Sequence, residues 1–202
     1  MNYQRRLWNF LAKRNSRYFI YSDKGNKITE ETFKKSGFKD TMKLIIEDEL
    51  INKSGVLLEI GCGTGRMTEY MAGNFYEVIG TDISIEMIKQ GRERMKDLNN
   101  VLLIETDGST LPIEDNLIDT AFSYLVFQHF RTRKMIKDNF AEVYRVLKPG
   151  GIFKVLVRTD KVVIHKWWSG VDCDEKIAIK AGFTLLQKDY TKENGLWLWL
   201  QK

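Results

Sequence analysis

Val56-Leu57-Leu58-Glu59-Ile60-Gly61-Cys62-Gly63-Thr64-Gly65-Arg66 decides how this chain folds. Four aliphatic residues surround one carboxylate, Glu59, and three glycines follow at intervals of two. A short apolar run of this kind suits a strand buried on both faces of a parallel sheet. The glycines allow a sharp turn with positive φ and the close approach of a ligand. Met67 to Ala72 then reads as helix, which would turn free N–H groups and the positive end of its dipole toward that ligand. Strand, glycine-rich turn and helix in this order open the nucleotide-binding half of an α/β domain.

The spacing narrows the ligand. A dinucleotide fingerprint needs glycine where this chain has Arg66, which argues against a nicotinamide oxidoreductase, and no Gly-Lys-Ser/Thr follows to make a P-loop. What remains, E-x-G-x-G-x-G, resembles motif I of the class I S-adenosylmethionine-dependent methyltransferases of the small-molecule type. That resemblance implies an α/β, Rossmann-like fold: a seven-stranded mixed sheet of order 3-2-1-4-5-7-6 with helices on both faces. It also implies S-adenosyl-L-methionine as cofactor and S-adenosyl-L-homocysteine as product.

Later stretches fall where such a fold needs them. Glu77 to Thr81 reads as the second strand and ends in Asp82, 21 positions after Gly61. This is near the ~20-residue spacing of an acid that accepts from ribose hydroxyls. The competing reading is that Asp82 or Ser84 caps the helix Ile85 to Met95. Val101 to Glu105 is the third strand, and Asp107-Gly108-Ser109-Thr110-Leu111-Pro112-Ile113 is similar to the family's D-[AG]-x-x-L-P-[FI] segment. By that resemblance Asp107 and Gly108 hold the adenine. Ile118 to Ser123 forms strand four, helix Thr132 to Leu147 follows, and Lys148-Pro149-Gly150-Gly151 stops it ahead of strand Ile152 to Val157. A helix Asp174 to Ala181 and the strands Thr184 to Lys188 and Leu196 to Leu200 close the sheet as an antiparallel pair.

The resemblance assigns cofactor contacts to Glu59, Gly61, Cys62, Gly63, Gly65, Asp82, Ile83, Asp107, Gly108, Ser123 and Tyr124. His129, one of two histidines, is the candidate general base. Gln128 beside it, Tyr18 and Tyr21 near the N-terminus, and Trp167 and Trp168 in the variable stretch 159–172 are candidates to line the substrate. No Asn/Asp-Pro-Pro-Tyr or Pro-Cys pair follows strand four, so base-amine, glutamine and pyrimidine-C6 chemistry are not signalled.

Residues 1–53 are expected to form a helical extension that caps the site, and residues 54–202 the methyltransferase core. A short helix around Trp8, Phe10 and Leu11 should give way to an extended aromatic piece, Tyr18 to Tyr21. Thr29 should cap a helix, and Asp40 to Ile51 should be helical with Met42, Leu44, Ile45, Ile46 and Leu50 inside.

Composition sets the outer limits. At 202 residues with 43% hydrophobic and 29% charged content, this is an ordinary globular chain of one domain's size. No run nears the ~18 apolar residues of a membrane span, and no membrane partner is expected. The first 21 residues contain Arg5, Arg6, Lys13, Arg14 and Arg17, and so have no signal-peptide core. Two cysteines, Cys62 and Cys173, give neither a disulfide framework nor a zinc pattern, and no metal is expected. A reduced, cytoplasmic setting follows. Residues 1–40 carry ten Lys/Arg against four acids, and the remainder is close to neutral. The basic front leaves an RNA or protein methyltransferase open beside the small-molecule enzyme, and a non-catalytic cofactor-binding protein stands as the third alternative.

Overall fold

The structure is a computed structural model that describes residues 3–21, 28–160, 162–165, 168–192 and 194–202, with side chains throughout except in 162–165 and 168–169. Seven strands form one mixed sheet: β1 (Val56–Ile60), β2 (Glu77–Asp82), β3 (Val101–Glu105), β4 (Ile118–Ser123), β5 (Leu147–Arg158), β8 (Thr184–Tyr190) and β9 (Gly195–Gln201). Their order, β3-β2-β1-β4-β5-β9-β8, is the 3-2-1-4-5-7-6 arrangement once β8 and β9 are counted as sixth and seventh. A separate two-stranded ribbon, β6 (Val162–His165) with β7 (Trp168–Gly170), occupies the stretch expected only to be variable. The chain divides into two compact units, residues 1–107 and 108–202.

In the first unit β1 pairs in parallel with β2, and β2 with β3. Leu57 and Leu58 are wholly buried, as the uninterrupted apolar run requires of a strand covered on both faces. Helices α3 (Thr68–Met71) and α4 (Ile85–Arg94) make the crossovers. Ser84, not Asp82, caps α4, accepting from Met87 N at 3.2 Å. Asp82 is thereby left for other work.

The front of the chain differs from the expectation. Helix α1 runs Tyr3–Ile20, so Tyr18 to Ile20 are helical, with a break at Asn15 where the backbone is extended. Asn15 Oδ1 accepts from Tyr18 N at 3.1 Å, an N-cap that starts the second segment. That cap outweighs the strand preference of the Tyr-Phe-Ile-Tyr run. Helix α2 (Glu30–Thr41) starts at the expected cap, Thr29, which accepts from Thr32 N. The expected helix over Asp40 to Ile51 is instead the end of α2 and one π-helical turn, Met42–Ile46.

In the second unit β4 pairs in parallel with β5, and β9 is antiparallel to both β5 and β8. Helix α5 (Arg133–Val146) buries Ile136, Phe140, Val143 and Val146. Phe140 joins Phe127, Phe153 and Phe183 in a ring cluster with centroids 5.4 to 6.2 Å apart. The Lys-Pro-Gly-Gly turn ends α5, and Gly150 takes φ +80°. It opens β5 as a bulge, since Ile118 faces Leu147 while Thr120 already faces Ile152. Helix α6 (Glu175–Lys180) precedes β8.

Candidate functional site

The turn after β1 is built from glycines used for different reasons. Gly61, Gly63 and Gly65 all have positive φ, at 74°, 58° and 82°. The N–H groups of Gly61 and Cys62 both donate to Thr81 O, at 2.7 and 3.0 Å, which holds the turn against β2. A Cβ on Gly65 would lie 2.3 Å from Met95 Cε, and one on Gly63 would lie 3.0 Å from Ile20 Cδ1. Gly65 therefore lets the turn pack on the end of α4, and Gly63 lets Ile20 of α1 pack on the turn. The Cys62 side chain points away, into a cluster with Ile88, Met95 and Leu103. Burial pushes its thiol well up, so it is a packing group and offers a ligand only its backbone.

Two carboxylates frame this turn. Asp82, at the end of β2, accepts from Gly63 N at 3.0 Å through Oδ2 and from Ser84 N at 2.8 Å through Oδ1. Burial raises its pKa to about 6, against the downward pull of those N–H groups and that of Ile83. Glu59 is buried in β1 and accepts from Thr68 Oγ1 at 2.5 Å. Burial raises it to about 7; Thr68 and Arg66 act in the opposite direction. Two acceptor groups held near neutrality beside a glycine turn suit a ligand with hydroxyl donors and a cationic part.

Several residues here have no local signal in the sequence. Arg66 is buried, with Nη1 donating to Asp40 Oδ2 at 2.6 Å and to Ser36 Oγ at 3.3 Å. Gly37 makes room for the backbone at this point, because a Cβ there would meet Arg66 O at 2.1 Å. The Tyr21 ring lies under the Arg66 guanidinium, 5.3 Å away, so this candidate sits beside the glycine turn. Tyr18 instead packs edge-on against Phe19. Along α1, Arg5 Nη2 donates to Thr106 O at 2.7 Å and pairs with Glu105, while Asn9 Oδ1 accepts from Ser84 Oγ at 2.7 Å. The helix thus crosses the carboxyl ends of β2 and β3.

Thr106 N donates to Asp82 O, extending the β2–β3 ladder to the threshold of Asp107, which is exposed. Gly108 takes φ +85°, and its carbonyl accepts from Asn139 Nδ2 at 2.9 Å. Glu142 and Arg145 on α5 hold the rest of the segment, through Leu111 N, Leu111 O and Ile113 O.

At the end of β4, Ser123 is buried and Tyr124 stacks on Trp197 at 5.6 Å. Leu125 has φ +61°, an unusual conformation for a bulky residue. Its carbonyl accepts from Gln128 Nε2 at 3.4 Å, and the Gln128 amide lies 3.4 Å from His129 Nε2. Both residues belong to a 3₁₀ turn, Phe127–His129. The ribbon is seated on that turn, for a Cβ on Gly170 would come within 2.0 Å of Gln128 O. Of the two tryptophan candidates, Trp167 lies outside the described residues and Trp168 is described only as backbone in β7. Among the described residues no group of three His, Cys, Asp or Glu is placed to hold a metal ion.

Comparison with known proteins agrees with this geometry. A family model described as a methyltransferase domain matches residues 58–155. A malonyl-[acyl-carrier protein] O-methyltransferase of Marinomonas sp. (strain MWYL1) is 31% identical over 69% of this chain and 54% of its own length. A demethylmenaquinone methyltransferase of Staphylococcus carnosus is 30% identical over 79% of this chain and 64% of its own length. The chain therefore spans less than two thirds of these curated relatives. Among solved structures, a SAM-dependent methyltransferase from Aquifex aeolicus superposes with a TM-score of 0.63 at 17% identity, covering 86% of this chain and 98% of that one. One from Methanosarcina mazei gives 0.65 at 18%, covering 78% and 97%. These last likenesses are of fold. The methyltransferase-domain match, these relatives and the shared fold are consistent with a class I S-adenosylmethionine-dependent methyltransferase. S-adenosyl-L-methionine is the cofactor of that class, and the chemistry of the residues fits it: a turn of positive-φ glycines, Asp82 bound to the Gly63 N–H, and the buried carboxyl of Glu59 near the end of β1.

Proposed function

We propose that the protein transfers the methyl group of S-adenosyl-L-methionine to a small-molecule acceptor. The observation that carries this reading is the glycine turn held between Glu59 and Asp82, with Gly63 N–H bound to the second carboxylate. The names of the curated relatives, methyltransferases for demethylmenaquinone and for malonyl-[acyl-carrier protein], support a non-nucleic-acid acceptor.

When bound, the cofactor supplies a methyl already made electrophilic by its sulfonium, so the chain's contribution is to align the acceptor and exclude water. In this reading Asp82 holds the ribose, since each carboxylate oxygen keeps a second lone pair beyond its backbone N–H. Glu59 orients the amino group, directly or through water, and the backbone of Gly61 to Gly65 lies along the methionine part. Asp107 and Gly108 take the adenine, with Ile83, Ser123 and Tyr124 completing the wall. Gln128 and His129 face the acceptor, and His129 accepts its proton where the nucleophile must lose one. Residues 1–53 act as the cap, which the contacts of Ile20 and Tyr21 at the glycine turn support. A reducing, cytoplasmic setting suits the two buried free cysteines.

Calorimetric titration with S-adenosyl-L-methionine and S-adenosyl-L-homocysteine tests the cofactor. A methyl-tritium transfer screen over quinones, carboxylic acids and a metabolite extract tests the acceptor. His129→Gln then separates a base from a wall: a base loses kcat and the acidic limb of its pH profile, a wall raises KM. Binding of neither nucleoside at millimolar concentration overturns the assignment.

A further inference from the structure

Helix α1 presents two unlike faces. Its inner side buries Gln4, Leu11 and Ala12 and packs against α4, with Gln90 Nε2 donating to Ala12 O and Ser16 Oγ donating to Gln90 Oε1. At 3.6 residues per turn the opposite side of its first segment gathers Tyr3, Arg6, Phe10, Lys13 and Arg14. Tyr3 is 51% exposed and Phe10 59%. The whole of α1 carries five cations and no acid; Arg5, Lys13 and Arg17 pair with Glu105, Glu86 and Glu30, and the exposed Arg6 and Arg14 flank Phe10 on the outer face.

We propose that this outer face of α1 docks on the surface of an anionic phospholipid bilayer. Charge complementarity supplies the first reason: clustered Lys and Arg are attracted to anionic headgroups within a Debye length of the surface. The rings supply the second, because aromatic side chains among cations seat at the headgroup boundary while the long Arg and Lys stems reach up to phosphate. A single RNA strand is served less well. It needs a groove that tracks its backbone, and α1 offers a ridge. No helix among the described residues is long and apolar enough to cross a membrane, but lying on a surface is a different physical state and needs no such length. The docking goes beyond methyl transfer and stands without it.

Co-sedimentation of the full chain with vesicles tests it. With phosphatidylcholine containing about one third phosphatidylglycerol, the protein should pellet at low salt and be released as salt rises, while vesicles of phosphatidylcholine alone should leave it in the supernatant. The double variant Arg6→Glu/Arg14→Glu should weaken partitioning by about tenfold or more. Phe10→Ala, at an exposed position with little to lose in folding, should weaken it on its own while the salt dependence persists. A wild-type chain that stays in solution with both vesicles overturns the proposal. So does equal binding to neutral vesicles, or binding that neither variant alters. Retention on single-stranded RNA without any vesicle binding also overturns it. Calorimetry with S-adenosyl-L-methionine on the same preparation reports separately on the cofactor.

Discussion

The Gly63 N–H donates to Asp82 Oδ2 across 3.0 Å, joining the glycine turn after β1 to the end of β2 nineteen residues later. The same carboxylate holds Ser84 N through its other oxygen. One side chain therefore sets the turn and the start of α4 together, and it lies where ribose hydroxyls are expected.

Asp82→Ala should lower S-adenosyl-L-methionine affinity by at least about tenfold and reduce stability by about 1–2 kcal/mol, because two partly buried N–H groups lose their acceptor. Far-ultraviolet circular dichroism should be unchanged. Calorimetry that finds unaltered affinity removes Asp82 from the cofactor site.

Glu59 makes stability and affinity depend on pH with opposite signs. Its folded pKa, about 7, lies above the ordinary 4.5, so the fold favours the protonated form. This stabilisation is fully present below pH 4.5 and is lost as pH rises through 7. The effect is on the order of 2–3 kcal/mol. Asp82, raised to about 6, acts in the same direction but keeps some solvent contact and contributes less. The ligand-free protein should therefore be easier to unfold in urea at pH 7.5 than at pH 5. Affinity for the cationic cofactor should rise over the same interval as the carboxylates ionise. Glu59→Gln should flatten both trends, and a slope unchanged in that variant would assign the pH dependence elsewhere.

Arg66 and Asp40 form a pair whose guanidinium side is 5% exposed. Removing Asp40 leaves a buried guanidinium without its direct ion-pair partner, so Asp40→Ala should cost about 3 kcal/mol. Arg66→Met combined with Asp40→Leu should recover much of that loss. A double-mutant cycle in urea gives the coupling, and additive losses would mean that the pair is not felt as a unit.

Leu125 adopts φ +61°, a conformation that costs a side-chain-bearing residue roughly 1–2 kcal/mol and glycine nothing. Leu125→Gly should therefore be more stable than Leu125→Ala, by about 1 kcal/mol, reversing the usual order. The cost is borne next to Gln128 and His129, at the expected acceptor side. If the alanine variant proves the more stable, this backbone stores no strain.

The strands were legible because each announces itself within five or six residues. Aliphatic runs ending at Ile60, Asp82, Glu105 and Ser123 came out at the expected places, and the order of the sheet followed from the family resemblance. The glycine turn stood out through the strand–turn–helix order and the family resemblance, and Asp82 through strand end, spacing and residue type together. Arg66 could not. Its partners lie 26 and 30 residues upstream in α2, and no periodicity connects them. Thr68 looked like one more helical residue until β1 placed Glu59 beside it. The Tyr18 to Ile20 segment misled because strand preference is a packing average, whereas the Asn15 side chain supplied a local helix start. The β6–β7 ribbon escaped notice because no Asn-Gly or Asp-Gly turn marks it.

The break at Asn15 gives α1 two parts with separate beginnings. Residues 3–14 are fastened to α4 and the end of β3, while residues 16–20 have their own capped first turn and set Ile20 on Gly63. Both parts share the hold on α4, since Gln90 donates to Ala12 O and accepts from Ser16 Oγ, and Arg17 adds a pair with Glu30 of α2. The side chain of Asn15 thus decides where the helix restarts, and with it where Ile20 comes down on the glycine turn, while Arg5 and Asn9 fix the other end over β2 and β3.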